Sequence, residues 1–189
     1  MSQVNNWAVY GLSESIKASK YPMSTDTEKC TSEVTERTKK LGSCDTGTGH
    51  DQFLTGIIVQ FDLTFSNKAW VEAERYHFLD FVSSQSTMHR IAKFDIEEQC
   101  NEYVHPGTIS IVKGLVDCYK DNPNEENYLR LLYNIPSGFQ LTARMTTNYR
   151  QLKTIYFQRR NHRLPEWREF CKWIEELPMF KELILDVSN

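Results

Sequence analysis

The chain has no run of apolar residues approaching the roughly 20 needed to cross a bilayer. Its first ten residues, Met1 to Tyr10, lack the basic segment and apolar stretch of a signal peptide. Glycine and proline are scarce, at 8 and 6 of 189 residues, which excludes linker-like and collagen-like architectures. Five cysteines (Cys30, Cys44, Cys100, Cys118, Cys171) are odd in number, scattered and without a C-x-x-C pair. They indicate neither a disulfide framework nor a thiolate metal site, and read as reduced thiols of a cytoplasmic protein. Five histidines show no H-x-x-x-H or H-E-x-x-H spacing, so no metal site is expected. G-x-S-x-G, G-x-G-x-x-G and Walker loops are absent, leaving nucleophile-elbow and P-loop chemistry unsupported. Charge of one sign is lacking too: 22 Lys+Arg against 25 Asp+Glu leave −3, which excludes a polycation, so any anion site is local.

What the chain has is core-forming material: 40 % hydrophobic and 12 % aromatic residues, with a length that fits one domain spanning 1–189 around one core. Thr25-Asp26-Thr27-Glu28 has a capping-box pattern and predicts a helix carrying Cys30, Val34 and Leu41 until Gly42 stops it. Gly42 to Gly49 predicts a loop leading into His50. From Ile57 to Phe65 every odd position is apolar and Gln60, Asp62 and Thr64 intervene, the pattern of a half-buried strand. Ser66-Asn67 predicts the start of a helix running through Trp70, Ala73 and Tyr76 to about Leu79, and Val82 to His89 a hydroxyl-rich loop. Helices are expected at about 95–103, 108–120 and 124–133, and a second strand over Phe139 to Met145. Thr147 is expected to cap a helix from Asn148 to Arg160, and Pro165 to open a last one. The pattern is α+β: a small antiparallel sheet with several long helices.

Two constellations carry chemistry. Between Arg144 and Pro165 lie Arg144, Arg150, Lys153, Arg159, Arg160, Arg163 and His162, with no acid. This is either a local anion site or a solvated face. The eleven-residue spacing of Asn148 and Arg159 returns to one helix face, the one carrying Leu152 and Ile155, so Arg159 there requires an anionic or planar partner. The second constellation is Arg75-Tyr76-His77 followed by Ser83 to Arg90, whose hydroxyls, backbone N–H groups and terminal arginine are the parts of a phosphate cradle.

Taken together, these segments resemble the flavin-dependent thymidylate synthase family over roughly residues 50–90 and 136–168. His50 precedes the strand, and Phe61 and Arg75 stand at the family's spacing. Ser83, Gln85 and Arg90 match the spacing of its Ser, Asn and final Arg. Pro136, the second strand, Asn148-x-Arg150-x-Leu152, Arg159, His162-Arg163 and Trp167 follow in the family's C-terminal order. Tyr76 and His77 replace the last two residues of its Arg-His-Arg triplet, with about three extra residues before Ser83. Ser86 replaces a Glu, Met88 a second Ser, and Thr55-Gly56 a Glu-His pair, while Arg163 takes the place of a helix-end His.

The resemblance implies a homotetramer with active sites between subunits that hold FAD and dUMP. It also implies methylenetetrahydrofolate as one-carbon donor and NADPH as reductant, with no protein nucleophile. It assigns Arg159 the catalytic place beside the uracil, and Arg75, Ser83, Gln85, Ser86, His89 and Arg90 the nucleotide. His50, His77, Asn148, Arg150, His162 and Arg163 fall to the flavin. Open beside this reading are hydroxymethylation of a pyrimidine nucleotide, and a relative that binds nucleotide or flavin without methylating. The third is single-stranded nucleic-acid binding by the basic strip, with Tyr149, Tyr156 and Phe157 as stacking partners. Membrane association is not expected.

Overall fold

The computed structural model describes residues 3–185, so the expected bounds of 1–189 extend past the described residues at both ends. In chain order the elements are β1 (Val4–Tyr10), α1 (Leu12–Ala18), α2 (Glu36–Ser43), β2 (Ile58–Ser66), α3 (Asn67–Ala73), β3 (Asp80–Ser84) and α4 (Thr87–Arg90). There follow α5 (Ile96–Gln99), α6 (Pro106–Asp121), α7 (Glu125–Tyr133), β4 (Gln140–Asn148), α8 (Tyr149–Arg159) and α9 (Pro165–Glu176). The strands form one antiparallel sheet of order β1-β2-β4-β3, so the α+β expectation holds.

The period-two pattern of β2 puts Val59, Phe61, Leu63 and Phe65 on one buried face, joined across the ladder by Ala143 and Met145 of β4. Helices α8 and α9 cover that face. Phe61 packs on Phe170 and Trp173, and Phe65 on Trp167, with ring centroids 4.8–5.6 Å apart. On the other face, half-buried polar groups pair with one another, Asp62 with Arg144 at 3.2 Å and Thr64 with Thr142 at 2.7 Å. Ser66 caps α3 as expected, its hydroxyl accepting from Ala69 N–H, and Glu166 at the start of α9 accepts from both the N–H and the hydroxyl of Ser66.

Several expectations are corrected. The core is not single: a second cluster (Ile91, Ile96, Val112, Val116, Leu131, Phe139) meets the main one at half-buried Leu141. The helix foreseen from Thr25 is a single 3-10 turn capped by Asp26. The helix itself starts at Glu36, where Thr35 and Thr38 form a reciprocal capping box. Gly42 lies inside α2 rather than ending it, and glycine is required there because a Cβ would overlap the Leu183 carbonyl packed against the helix. The helix after Ser66 stops at Ala73, not Leu79, and β3 occupies what read as a loop from Val82. Both unforeseen strands, β1 and β3, are sheet edges whose side chains are mostly exposed, so neither shows alternation; β1 also carries a bulge with Asn6 at φ 48°.

The approach to β2 is fixed on α8 by an ion pair. Lys153 Nζ lies 2.8 Å from Asp51 Oδ2, with both side chains nearly fully buried, and Arg150 Nε lies 2.9 Å from Asp51 Oδ1. Replacing Asp51 by Ala strands a buried ammonium, and we expect a loss of about 3–5 kcal/mol in unfolding free energy, measured by urea titration.

Candidate functional site

Helix α8 is capped by Asn148, not by Thr147, and starts at Tyr149: the Asn148 side chain accepts from Gln151 N–H at 2.9 Å. Asn148 is therefore the cap, and not part of the face shared with Leu152 and Ile155. Two residues on, Arg150 is held by Asp51 and by Gln52 Oε1, each at 2.9 Å. The helix then buries Tyr149, Leu152, Lys153, Ile155 and Tyr156, which carries Arg159 inward at its last position.

Arg159 meets the partners its placement requires. Nε donates to Tyr76 Oη at 2.7 Å, and Nη1 donates to Glu72 Oε2 at 3.1 Å and lies 2.8 Å from His162 Nε2. The guanidinium carbon stands 4.8 Å from the Trp167 ring centre and 5.6 Å from that of Tyr76. Tyr76 Oη in turn donates to Gln158 Oε1 at 3.0 Å. Glu72 gathers the cluster: its Oε2 also accepts from Trp167 Nε1 at 3.2 Å and lies 3.3 Å from His162 Nε2, while Oε1 is 3.6 Å from Lys68. Sequence reasoning passed over Glu72; the available signal was an acid on the stripe Ala69, Ala73, Tyr76, where the other residues are buried.

Beside this cluster opens a cavity of about 320 Å³ lined by Arg75, Tyr76, His77, Phe78, Gln158 and Arg159, with Gln151 and Thr154 further along α8. It joins three of the foreseen residues: Arg75, His77 and Arg159. Arg75 and His77 are exposed, and no hydrogen bond or ion pair holds their side chains among the described residues. His162 lies behind Arg159. Burial, followed by the Arg159 charge, pushes its pKa below the ordinary 6.5, outweighing the opposite pull of Glu72.

The other foreseen residues lie elsewhere. Ser83 is on β3, Ser86 precedes α4, and His89 and Arg90 are on α4; none lines the Arg75–Arg159 cavity. Gln85 is spent on the sheet: its N–H donates to the Thr142 carbonyl at 3.0 Å and its Oε1 accepts from Thr142 N–H at 2.8 Å. It faces a cleft of about 760 Å³ lined by amides and carboxylates and by no Lys, Arg or His. Arg163 lines a third cavity, of about 420 Å³, with Lys68 and Arg168. His50 is exposed in the loop before Asp51. The basic strip is not one continuous surface: Lys153 is paired inside the protein, Arg144 holds Asp62, and Tyr149 and Tyr156 are buried, while Arg160 lies exposed over the Phe157 ring at 5.3 Å. Of the expected stacking partners only Phe157 is exposed. No group of three or more potential metal-ligating side chains occurs among the described residues, and no described helix is long and apolar enough to cross a membrane.

Neither a family model nor a curated protein matches the sequence. Among solved structures, the chain is similar to the flavin-dependent thymidylate synthase of Helicobacter pylori complexed with FAD and dUMP. The TM-score is 0.74 at 13 % identity, over 96 % of this chain and 99 % of that one. A further structure of thymidylate synthase X from the same organism, also with FAD and dUMP, gives 0.71 at 13 % identity over 98 % of both chains. The fold is therefore that of flavin-dependent thymidylate synthases along nearly the whole chain.

Because folding depresses the His162 pKa, the unfolded chain binds this proton more readily. The stability contributed by neutral His162 is full above pH 6.5 and is lost as pH falls from there toward the folded pKa. We expect an NMR titration to place the His162 midpoint below 6.5, and His162→Gln to flatten the loss of stability on that side.

Proposed function

We propose that the chain is a flavin-dependent thymidylate synthase-like enzyme that methylates dUMP to dTMP reductively, with FAD, methylenetetrahydrofolate and NADPH. The observation that carries this reading is the end-to-end fold match, with a cavity at the junction of α8 and the segment after α3 that pairs Arg75 with Arg159. The two similar structures hold FAD and dUMP. The nucleic-acid reading is less well supported, since Lys153, Tyr149 and Tyr156 of the strip it requires are buried.

The residues present fit the group across subunits rather than within one chain, since His77 and Arg163 line different cavities and His50 neither. His50, His77 and Arg163 are exposed, with no hydrogen bond or ion pair from their side chains among the described residues, and are suited to an anionic dinucleotide; Arg150, though tied to Asp51, keeps a half-exposed guanidinium beside them in role. FAD supplies the redox chemistry when bound. The remaining work falls to the chain. Arg159, held by Tyr76 and Glu72, presents fixed donors where negative charge develops on the uracil ring, and it needs no reorganisation as that charge appears. Arg75 binds the nucleotide from the same cavity. No cysteine is needed as nucleophile. Cys171, the buried one, has its pKa pushed up to about 12 by burial and stays protonated at neutral pH.

Ser83, Ser86, His89 and Arg90 lie outside the cavity, so the phosphate cradle reaches it from another subunit of a homotetramer. In support, β3 is a sheet edge, and Phe78, Phe81, Val82 and Met88 on and around it are more than half exposed.

The test is a visible spectrum of the purified protein with FAD, then dUMP, followed by an assay for dTMP. We expect bound flavin, a spectrum perturbed by dUMP, and a roughly 10²–10³-fold loss of turnover in Arg159→Gln. A protein that never takes up FAD overturns the reading.

A further inference from the structure

Arg159 and Glu72 are both largely buried, at 12 % and 15 % side-chain exposure, and form the tightest pairing of opposite charges at the cavity. Two of the three guanidinium nitrogens are turned into the protein, Nε to Tyr76 and Nη1 to Glu72, with Trp167 and Tyr76 against the guanidinium. Nη2 has no recorded partner among the described residues, and Arg159 lines the cavity. Arg159 thus lines the cavity as a fixed donor whose net charge is cancelled by a carboxylate 3.1 Å away. A paired guanidinium of this kind keeps a donor for a carbonyl oxygen but draws a phosphate less strongly than an unpaired one does. Arg75 has that uncompensated charge: it is exposed and no carboxylate is recorded against it.

We infer that Glu72 is a specificity-determining positioning residue: by neutralising and orienting Arg159 it reserves that arginine for the uncharged carbonyl edge of a base and keeps phosphate off it. The identity of the base as a pyrimidine rests on the function proposed above; the exclusion of phosphate does not. Lys68 does not undo the effect, because its ammonium is 3.6 Å from the other carboxylate oxygen and more than half exposed, so solvent screens it.

The experiment is modification of Arg159 by an arginine-directed dicarbonyl, read by peptide mass spectrometry in the presence of inorganic phosphate or deoxyuridine at matched concentrations, with Arg75→Ala in every protein so that phosphate held by Arg75 in the same cavity cannot shield Arg159. With Glu72 in place, deoxyuridine protects Arg159 and phosphate does not. In Glu72→Gln, which keeps the shape and removes the charge, phosphate protection appears, with apparent affinity raised about tenfold. Arg150, held by Asp51, serves as the internal control, and its modification rate stays unchanged. A merely structural role for Glu72 would raise modification of Arg159 without altering the choice between the two probes. Equal phosphate protection in both proteins, or none in either, overturns the inference. Failure of deoxyuridine alone, with the phosphate pattern intact, overturns the pyrimidine reading and leaves the role of Glu72 standing. If Glu72→Gln does not fold, protection of Arg159 by phosphate in the protein that keeps Glu72 is by itself enough to refute the proposal.

Discussion

Everything that positions the site hangs on the pairing of β2 with β4. These two nine-residue strands run antiparallel without a break, from Ile58 opposite Asn148 to Ser66 opposite Gln140. Both ends of that ladder are helix starts: Ser66 caps α3 at one and Asn148 caps α8 at the other. Helix α3 and helix α8 therefore leave opposite ends of the same strand pair. The α8 chain covers the buried face, while the segment from Glu72 to Phe78 comes to lie along it, and the Thr147 hydroxyl donates to the Phe78 carbonyl at 2.6 Å to fix the contact. A one-residue slip in the ladder would turn Phe61 and Met145 to solvent and move both caps. The register is what brings Glu72 and Arg159, 87 residues apart in sequence, within one hydrogen bond.

The sequence was legible wherever burial imposes a period. Strands β2 and β4, the Ser66 cap, the Pro165 start and the inward turn of Arg159 all follow from one face being apolar, and each stands in the structure to within a few residues. It was illegible where an element gains its place chiefly from pairing, with little burial of its own. Strand β3 has no buried residue and is held by hydrogen bonds to β4, so its hydroxyl-rich sequence resembled a loop. The second apolar cluster was hidden for another reason: α4 to α7 are short or only partly buried, and their packing against Phe139 depends on a loop returning to the sheet at Cys100. At the site, arginines announce themselves in sequence as charge, but the acids that hold them do not, because Glu72 and Asp51 look like any other acid until their burial is known.

That difference divides the basic residues into two physical kinds. Arg144, Arg150, Lys153 and Arg159 each face a carboxylate, respectively Asp62, Asp51, Asp51 and Glu72, and are half-buried or buried. For them the ion pair offsets desolvation, and what remains for a ligand is geometry rather than charge. Arg75, Arg90 and Arg163 are exposed and carry no ion pair among the described residues, so their charge is available but their side chains are not fixed. A chain of net charge −3 can attract an anion only through the second kind. It can orient a flat, weakly charged ring only through the first, since mobile side chains lose entropy on being ordered and deliver less of their interaction energy. The cavity at the end of α8 has one residue of each kind, Arg75 and Arg159, on opposite partners of the same contact between the segment after α3 and α8. A ligand with one anionic end and one carbonyl-bearing ring would match both kinds at once, and this is the physical sense in which the pair suits the nucleotide proposed above.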